Sequence, residues 1–157
     1  MKLISSELLD LVTASASSEE RLRKNFNFHT DLNDTLHRFL NAMEPGTYIA
    51  PHRHVNPDKE ETVVILRGSL MIFLFDDSGK VTGRYLLNRE KGDLGIDIEP
   101  GLWHCSVSLE PGTIIFEVKR GPFAPLTSDC LAPWAPASAD NEAAQTYIQH
   151  LLEEVSL

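Results

Sequence analysis

The sequence predicts an all-β protein, one antiparallel barrel or sandwich with a helix at each end. Seven short apolar segments follow one another between residues 46 and 120, and turn-forming pairs such as Pro45-Gly46, Pro100-Gly101 and Pro111-Gly112 separate them. No helical pattern interrupts this series, which is typical of strands joined by short loops. A chain of 157 residues fits one domain and needs no disulfide to fold, since it can bury about 70% of its unfolded surface.

Residues 1–45 are predicted to form a helical extension that precedes the barrel. Ser5 or Ser6 can cap a first helix, because apolar residues follow at helical spacing. A second helical piece is expected over residues 19–24, and His37 is placed on a helix facing solvent.

Residues 46–120 are predicted to form the barrel core. The strand candidates lie at 48–50, 62–66, 70–75, 84–87, 94–98, 103–109 and 113–119. The segment Leu70–Phe75 is apolar on both faces, as expected when the barrel core covers one side and a helix or partner covers the other. This segment and the aromatic C-terminal segment offer more apolar surface than one barrel should leave exposed, which predicts a homodimer.

Residues 121–157 are predicted to pack on the barrel as a proline-rich segment followed by a C-terminal helix. Phe123 and Trp134 provide large side chains that the proline-rich part can bury. Asp140 can cap the final helix, whose apolar side chains recur at helical spacing.

The charge and the cysteine content exclude several classes of partner. Lysine and arginine number 14 against 23 aspartate and glutamate residues, so the formal charge is −9, and no basic cluster points to nucleic acid or anionic membranes. The longest apolar run, Leu70–Phe75, is far shorter than the ~20 residues of a membrane span. The N-terminus has no signal-like apolar region. Two isolated cysteines, Cys105 and Cys130, favour a reducing compartment, so a cytoplasmic location is expected.

Three histidines and one glutamate have the spacing of a metal site. His52 and His54 alternate along a strand and therefore project to one face, while Glu61 lies on the next strand and His104 at the start of a later one. These side chains could converge inside the barrel, with Glu60 as the alternative to Glu61. Three imidazoles and a carboxylate suit Fe, Mn, Ni, Co, Zn or Cu and leave coordination positions for substrate or water.

These residues resemble the two sequence motifs of the cupin superfamily. The stretch 100–104, which ends on His104, matches the second motif. The first motif is matched by Gly46, His52, His54, Glu61 and Gly68. The distance from Glu61 to Gly68 agrees with the motif, which selects Glu61 over Glu60. The resemblance implies a single jelly-roll-like cupin barrel.

Longer strings are similar to the WbuC family of small cupin-fold metalloproteins. They lie at residues 23–29, 38–48, 51–62, 75–79, 116–123 and 132–136. This similarity implies a metal-binding barrel that is bacterial and cytoplasmic. Some members of the family are encoded with genes for lipopolysaccharide O-antigen synthesis. The resemblance implies no particular substrate.

Two further residues are candidates for proton transfer. Alternate side chains of a strand share one face, so a strand through residues 48–52 would place Tyr48 on the same face as His52. Glu117 is a carboxylate within an apolar strand, where it needs a hydrogen-bonding partner or a pocket that holds water. Trp103 and Cys105 flank His104 and are expected to face away from it.

A polar string near the N-terminus alternates with two phenylalanines. It consists of Arg23, Asn25, Asn27 and His29. In an extended chain the last three share one face. They could line a pocket mouth, dock against a subunit or hold the N-terminal helix on the barrel.

The sequence therefore predicts a divalent-metal-binding cupin with a small-molecule partner. The first hypothesis is a metal-dependent enzyme, of isomerase or oxygenase type, that acts on a small polar substrate such as a sugar or sugar nucleotide. The alternative is a non-catalytic module that binds or senses a small molecule through the same ligands. A third hypothesis, a metal-free sugar-binding or epimerase-like cupin, conflicts with the complete ligand pattern.

Overall fold

The computed structural model describes residues 1–155, which form two α-helices, a short 3₁₀ helix (Ser128–Cys130) and eight strands. In chain order the elements are α1 (Ser6–Ser18), β1 (Arg23–Asn27), β2 (Leu36–Met43), β3 (Glu61–Arg67), β4 (Ser69–Phe75), β5 (Val81–Asn88), β6 (Gly95–Ile98), β7 (Trp103–Ser108), β8 (Thr113–Arg120) and α2 (Asn141–Glu153). Both predicted helix caps are confirmed: Ser5 Oγ accepts a hydrogen bond from the Leu8 amide, and Asp140 accepts one from the Ala143 amide. Within the described residues, neither helix is long and apolar enough to cross a membrane.

The strands form two antiparallel sheets that pack face to face. The larger sheet has the order β1-β2-β8-β3-β6, and the smaller has the order β5-β4-β7. The predicted closed barrel is therefore wrong in detail, since no named strand of one sheet pairs with a strand of the other between residues 1 and 155. The segment expected to be a strand at 48–50 is irregular, and its neighbour His52 forms isolated bridges with His104 of β7 and with Leu131. Such single-residue bridges do not join the two sheets into a barrel.

The larger sheet begins at β1, well before the boundary expected at residue 46. Residues 19–24 are not helical, and His37 lies on β2 rather than on a helix. Burial alternates from Leu36 to Phe39, which is the period of a strand with one face toward the interior. The prediction of a helical extension missed this period because the alternating stretch is short and contains polar residues.

The inner core lies between the two sheets, and each sheet has a helix on its outer face. Met43 and Ile115 of the larger sheet pack with Leu70 and Ile72 of the smaller one. On the outer face of the larger sheet, α1 packs against β2 and β8. On the outer face of the smaller sheet, α2 packs against β4 and β7.

The central strand β4 is buried on both sides, as its composition predicts. Its outward residues, including Phe73, pack with Ile148 and Leu151 of α2. The chain therefore covers this apolar surface with its own C-terminal region. The predicted homodimer stays a prediction, but the surplus apolar surface of β4 no longer supports it.

Candidate metal centre

Three separate parts of the chain bring the predicted ligands together at one end of the sandwich. His52 and His54 lie on the connection between β2 and β3, Glu61 is the first residue of β3, and His104 is the second residue of β7. The backbones of His52 and His104 exchange two hydrogen bonds, each 2.9 Å from nitrogen to oxygen. This bridge brings their imidazole rings to a centroid separation of 4.4 Å.

The four side chains offer one ligand atom each within 4.8 Å of one another. His54 Nε2 lies 2.9 Å from Glu61 Oε2, and Glu61 is buried. Glu60 instead points outward and forms an ion pair with Arg120 at 3.1 Å. Glu61, the glutamate that the distance to Gly68 selects, is therefore the one that joins the cluster.

Two of the imidazoles are oriented as metal-binding histidines are. His52 Nδ1 donates to the Ala50 carbonyl at 3.0 Å, and His104 Nδ1 donates to the Leu102 carbonyl at 2.9 Å. Both bonds fix the tautomer in which Nε2 carries a free lone pair. The Nε2 atom of His104 is buried and has no hydrogen-bond partner. A buried nitrogen without a partner is costly, and a metal ion is a partner that this donor set fits.

The electrostatic surroundings favour the protonation states that bind metals. Burial lowers the pKa of His52 to about 3 and also lowers the pKa of His104, so both rings stay neutral at physiological pH. For Glu61, burial acts to raise the pKa, but the Lys119 ammonium and the hydrogen bond with His54 outweigh it and hold the pKa well below its usual range. Lys119 Nζ lies 3.6 Å from Glu61 Oε2.

A cavity of about 290 Å³ lies between the sheets, and His52, Glu61 and His104 form part of its wall. The wall also contains inward-facing side chains of the larger sheet, including Glu117 and Lys119 on β8. Lys119 Nζ donates to Glu117 Oε1 at 2.7 Å. Burial, together with the nearby Glu61 carboxylate, raises the pKa of Glu117 to about 7. A carboxyl group that changes protonation near neutral pH therefore lies in the same cavity as the ligand cluster.

A second cavity, of about 410 Å³, lies on the other side of the cluster. Its wall contains His52 and His54 and much of the proline-rich segment, with Phe123 and Leu126 among the apolar residues. His52, Lys119 and Leu126 border both cavities. The candidate centre thus lies at the junction of an inner polar chamber and an outer, more apolar one.

Of the two proton-transfer candidates, only Glu117 lies at this centre. The Tyr48 hydroxyl donates to the Pro136 carbonyl at 2.9 Å, and its ring packs against Tyr147. The expectation for Tyr48 depended on strand parity with His52, and it failed because this part of the chain is not a strand. Trp103 and Cys105 both pack in the cluster under α2, on the face of β7 opposite His104, as predicted.

The polar string of β1 divides between two locations. Arg23 and Asn25 line the inner cavity. His29 instead stacks on His37 with a centroid separation of 4.1 Å. The pocket interpretation thus holds for the first two residues, while Asn27 is not part of the cavity wall among the described residues.

Sequence reasoning missed Asn41 and Arg21, which also line the inner cavity. Asn41 lies between Leu40 and Ala42 on β2, and both of these neighbours pack on the outer face under α1. The signal was a polar residue in an otherwise apolar strand, but it is visible only when residues 36–43 are recognised as a strand.

Comparison with known proteins assigns a family and a fold. A family model described as Domain of unknown function (DUF6016) matches residues 4–87. No curated protein gives a significant match.

Three solved structures have a similar fold. Protein SO0799 from Shewanella oneidensis is 12% identical, with a TM-score of 0.52 over 80% of this chain and 83% of that chain. The capsular polysaccharide assembling protein CapF from Staphylococcus aureus is 19% identical, with a TM-score of 0.51 over 71% of this chain and 31% of that one. The conserved SPY1581 protein of unknown function from Streptococcus pyogenes is 18% identical, with a TM-score of 0.50 over 68% and 80%. At these identities the likeness concerns the fold alone, a cupin-like β-sandwich with N-terminal and C-terminal helices.

Proposed function

We propose that this chain, which belongs to the family described as Domain of unknown function (DUF6016), is a divalent-metal-binding cupin. We propose further that the protein is an enzyme that acts on a small polar molecule. The observation that carries the proposal is the buried His104 Nε2, which has no partner and lies in a cluster with His52, His54 and Glu61. Hydrogen bonds to Nδ1 fix the rings of His52 and His104 so that each presents its Nε2 atom to a ligand.

The donor set indicates which ions this centre takes. Three imidazole nitrogens and one carboxylate oxygen suit Fe, Mn, Ni, Co, Zn or Cu. The cluster of possible ligands contains neither Cys105 nor Cys130, so its donor atoms are nitrogen and oxygen. When bound, such an ion supplies a Lewis acid that polarises a carbonyl or hydroxyl oxygen, or redox chemistry if it is iron(II).

The chain's own residues supply the proton chemistry that favours an enzyme over a binding module. Glu117, with a pKa of about 7, can accept or release a proton at the cavity wall. Lys119 holds the carboxylates of Glu61 and Glu117 in place. The inner cavity, at about 290 Å³, is at the lower end of small-molecule sites. Isomerisation of a small hydroxylated substrate is one reaction that needs such a proton-transferring group.

The substrate that we propose is a sugar or sugar-nucleotide derivative. The similarity of the sequence strings to the WbuC family suggests a connection with O-antigen synthesis, since some members are encoded with genes for it, but it names no substrate. A monosaccharide-sized part would occupy the inner cavity, and a larger substituent would extend into the outer one. A bacterial cytoplasmic location and a homodimer belong to the same proposal.

A non-catalytic binding or sensing module is the second candidate. The observation in its favour is the position of Tyr48, whose hydroxyl is bonded to Pro136 instead of facing the cluster. Glu117 is then the single nominated acid or base at the centre.

Metal content tests the first part of the proposal. Wild type, His104→Ala and a control, His150→Ala, are purified without added metal, and metal per chain is measured by plasma mass spectrometry. His150 is exposed on α2, so its substitution leaves the cluster intact. We expect about one ion per chain in wild type and control, and a drop of at least tenfold in His104→Ala. Equal occupancy in all three, or none in wild type after incubation with each candidate metal, would refute the proposal.

Turnover by the metal-loaded protein separates the enzyme from the binding module. Metal-loaded wild type and Glu117→Gln are assayed against a panel of sugars and oxo acids by mass spectrometry and oxygen uptake. An enzyme that uses Glu117 loses about 100-fold or more in the variant. Binding of a panel compound without conversion, at equal affinity in both proteins, identifies the module.

A further inference from the structure

The inner cavity carries an excess of positive charge inside an acidic protein. Its wall contains the cations Arg21, Arg23 and Lys119 and the carboxylates Glu61 and Glu117, a net of one positive charge, whereas the whole chain has a formal charge of −9. A divalent ion on the ligand cluster would add two more. Lys119 contacts both carboxylates, so the arginines are the source of the excess. A positive cavity in an acidic protein attracts small anions.

Arg23 is partly buried and has no acidic partner among the described residues. One of its guanidinium nitrogens donates to the Tyr48 carbonyl, which leaves the other N–H donors of the fork available. Burial and the neighbouring Arg21 lower the pKa of Arg23, because no nearby negative charge within residues 1–155 balances the positive charge of its guanidinium group. An arginine in this position is suited to bind a carboxylate or phosphate with two parallel hydrogen bonds.

Asn41 presents an unused acceptor to the same cavity. The residue is 9% exposed, and its Nδ2 donates to Glu117 Oε2 at 3.4 Å. Its Oδ1 is buried and has no hydrogen-bond partner. A buried carbonyl oxygen without a donor is unfavourable unless a ligand or water supplies one. The antiparallel register places Asn41 opposite Asn25 and Met43 opposite Arg23, so Arg23 and Asn41 are diagonal neighbours on the cavity face.

We propose that Arg23 and Asn41 form the recognition end of the substrate site and that the substrate is a small hydroxylated anion. The acid group, a carboxylate or phosphate, binds the Arg23 guanidinium, and a hydroxyl group donates to Asn41 Oδ1. Three members of the ligand cluster, His52, Glu61 and His104, line the same cavity, and the reacting end of the substrate lies beside them. This inference rests on the proposed function, because it uses the same site, and it adds the chemical class of the substrate.

Calorimetric titration with three probes tests the anion. Gluconate carries hydroxyls and a carboxylate, glucose 6-phosphate carries hydroxyls and a phosphate, and glucitol carries hydroxyls alone. We expect gluconate or glucose 6-phosphate to bind wild type at least tenfold more tightly than glucitol, and the tighter of the two identifies the acid group. If neither anion binds more tightly than glucitol, the inference is wrong.

Variants assign the effect to the named residues. Arg23→Gln is expected to weaken binding of the tighter anion at least tenfold, Arg23→Lys to recover part of the loss, and Asn41→Leu to weaken it about fivefold. Arg67→Gln is the control, since Arg67 pairs with Asp10 of α1 and is not part of the cavity wall. If Arg23→Gln and Arg67→Gln bind equally well, Arg23 is not the recognition residue. Thermal melting verifies that each variant is folded.

Metal content distinguishes failure of this inference from failure of the proposed function. Arg23 is not in the ligand cluster, so Arg23→Gln is expected to keep the wild-type metal occupancy. Normal occupancy without anion preference overturns the inference alone. If wild type binds no metal, the proposed function is wrong. In that case, titration of the chelator-treated protein with the anions still tests whether Arg23 binds them.

Discussion

The inner face of the larger sheet has two halves that use the same strands for opposite purposes. Along β8, Ile115 faces the space between the sheets and packs in the inner core, where it also forms part of the cavity wall. Two and four residues further on, Glu117 and Lys119 face the same way and line the cavity beside the ligand cluster. The backbone geometry of the two halves is alike, so side-chain chemistry alone makes one half a core and the other a site.

The apolar half holds the sheets together, and the free energy gained from its burial offsets the cost of burying the polar half. Ile115 is 2% exposed and contributes free energy through burial. Glu117 is almost as buried, at 4% exposed, and would be destabilising without Lys119 and Asn41. A functional cavity of this kind therefore requires a well-packed core next to it.

The largest expected effect comes from the apolar half. Ile115→Ala removes a fully buried side chain from the inner core and is expected to lower the free energy of unfolding by about 3–4 kcal/mol. Urea unfolding measures the loss. Metal occupancy should stay at the wild-type value, and a variant that loses its metal while keeping its stability would contradict the separation of the two halves.

Removing the cation of the polar half is expected to have the next largest effect. Lys119→Met leaves the Glu61 and Glu117 carboxylates buried without their shared partner. Losing one partner of a buried ion pair costs about 3–5 kcal/mol, and the lower end applies because the Lys119 side chain is one-quarter exposed, at 25%. Urea unfolding at pH 7 should therefore show a loss of about 3 kcal/mol. Arg67→Gln, at an exposed ion pair, is the matched control, and an equal loss in both would contradict this prediction.

Glu117 is expected to make stability depend on pH. Its pKa is raised from 4.5 to about 7, so its contribution is fully present below pH 4.5 and is lost as the pH rises through about 7. At about 1.4 kcal/mol per pKa unit, wild type should lose about 2 kcal/mol more than Glu117→Gln between pH 5 and pH 8. Both proteins contain the same histidines, so the contribution of the histidines to the pH dependence is removed when one profile is subtracted from the other. Parallel pH profiles of the free energy of unfolding would show that Glu117 is not shifted.

The smallest expected effect distinguishes the two neighbouring glutamates. Glu60→Gln breaks an exposed pair with Arg120 and should change the free energy of unfolding by less than about 0.5 kcal/mol, with metal occupancy unchanged. Glu61→Gln replaces the carboxylate of the cluster and should lower metal occupancy. If the occupancy falls in Glu60→Gln instead, the assignment of Glu61 is wrong.

Much of this site could be predicted from the linear sequence. His52, His54, Glu61 and His104 are specified by spacing, and the structure brings these four side chains together. The helix caps at Ser5 and Asp140 follow from local chemistry in the same way. Such features depend on the identity of a residue and on neighbours within a few positions.

Strand parity was reliable only where the strand itself was recognised. It placed Trp103 and Cys105 correctly because β7 is regular. It failed for Tyr48, because the chain between β2 and β3 is irregular, and it could not be applied to Asn41 while β2 was not recognised as a strand.

The pattern of residue types along the chain was sufficient for the two terminal helices, the series of short strands and the four members of the ligand cluster. The tertiary structure was needed for two results: two open sheets in place of a closed barrel, and the meeting of Arg23 and Asn41 at one cavity. The physical reason is the range of the interactions. Capping and alternation act within a few residues, whereas sheet closure, ion-pair partners and cavity walls depend on contacts between segments that are distant in sequence.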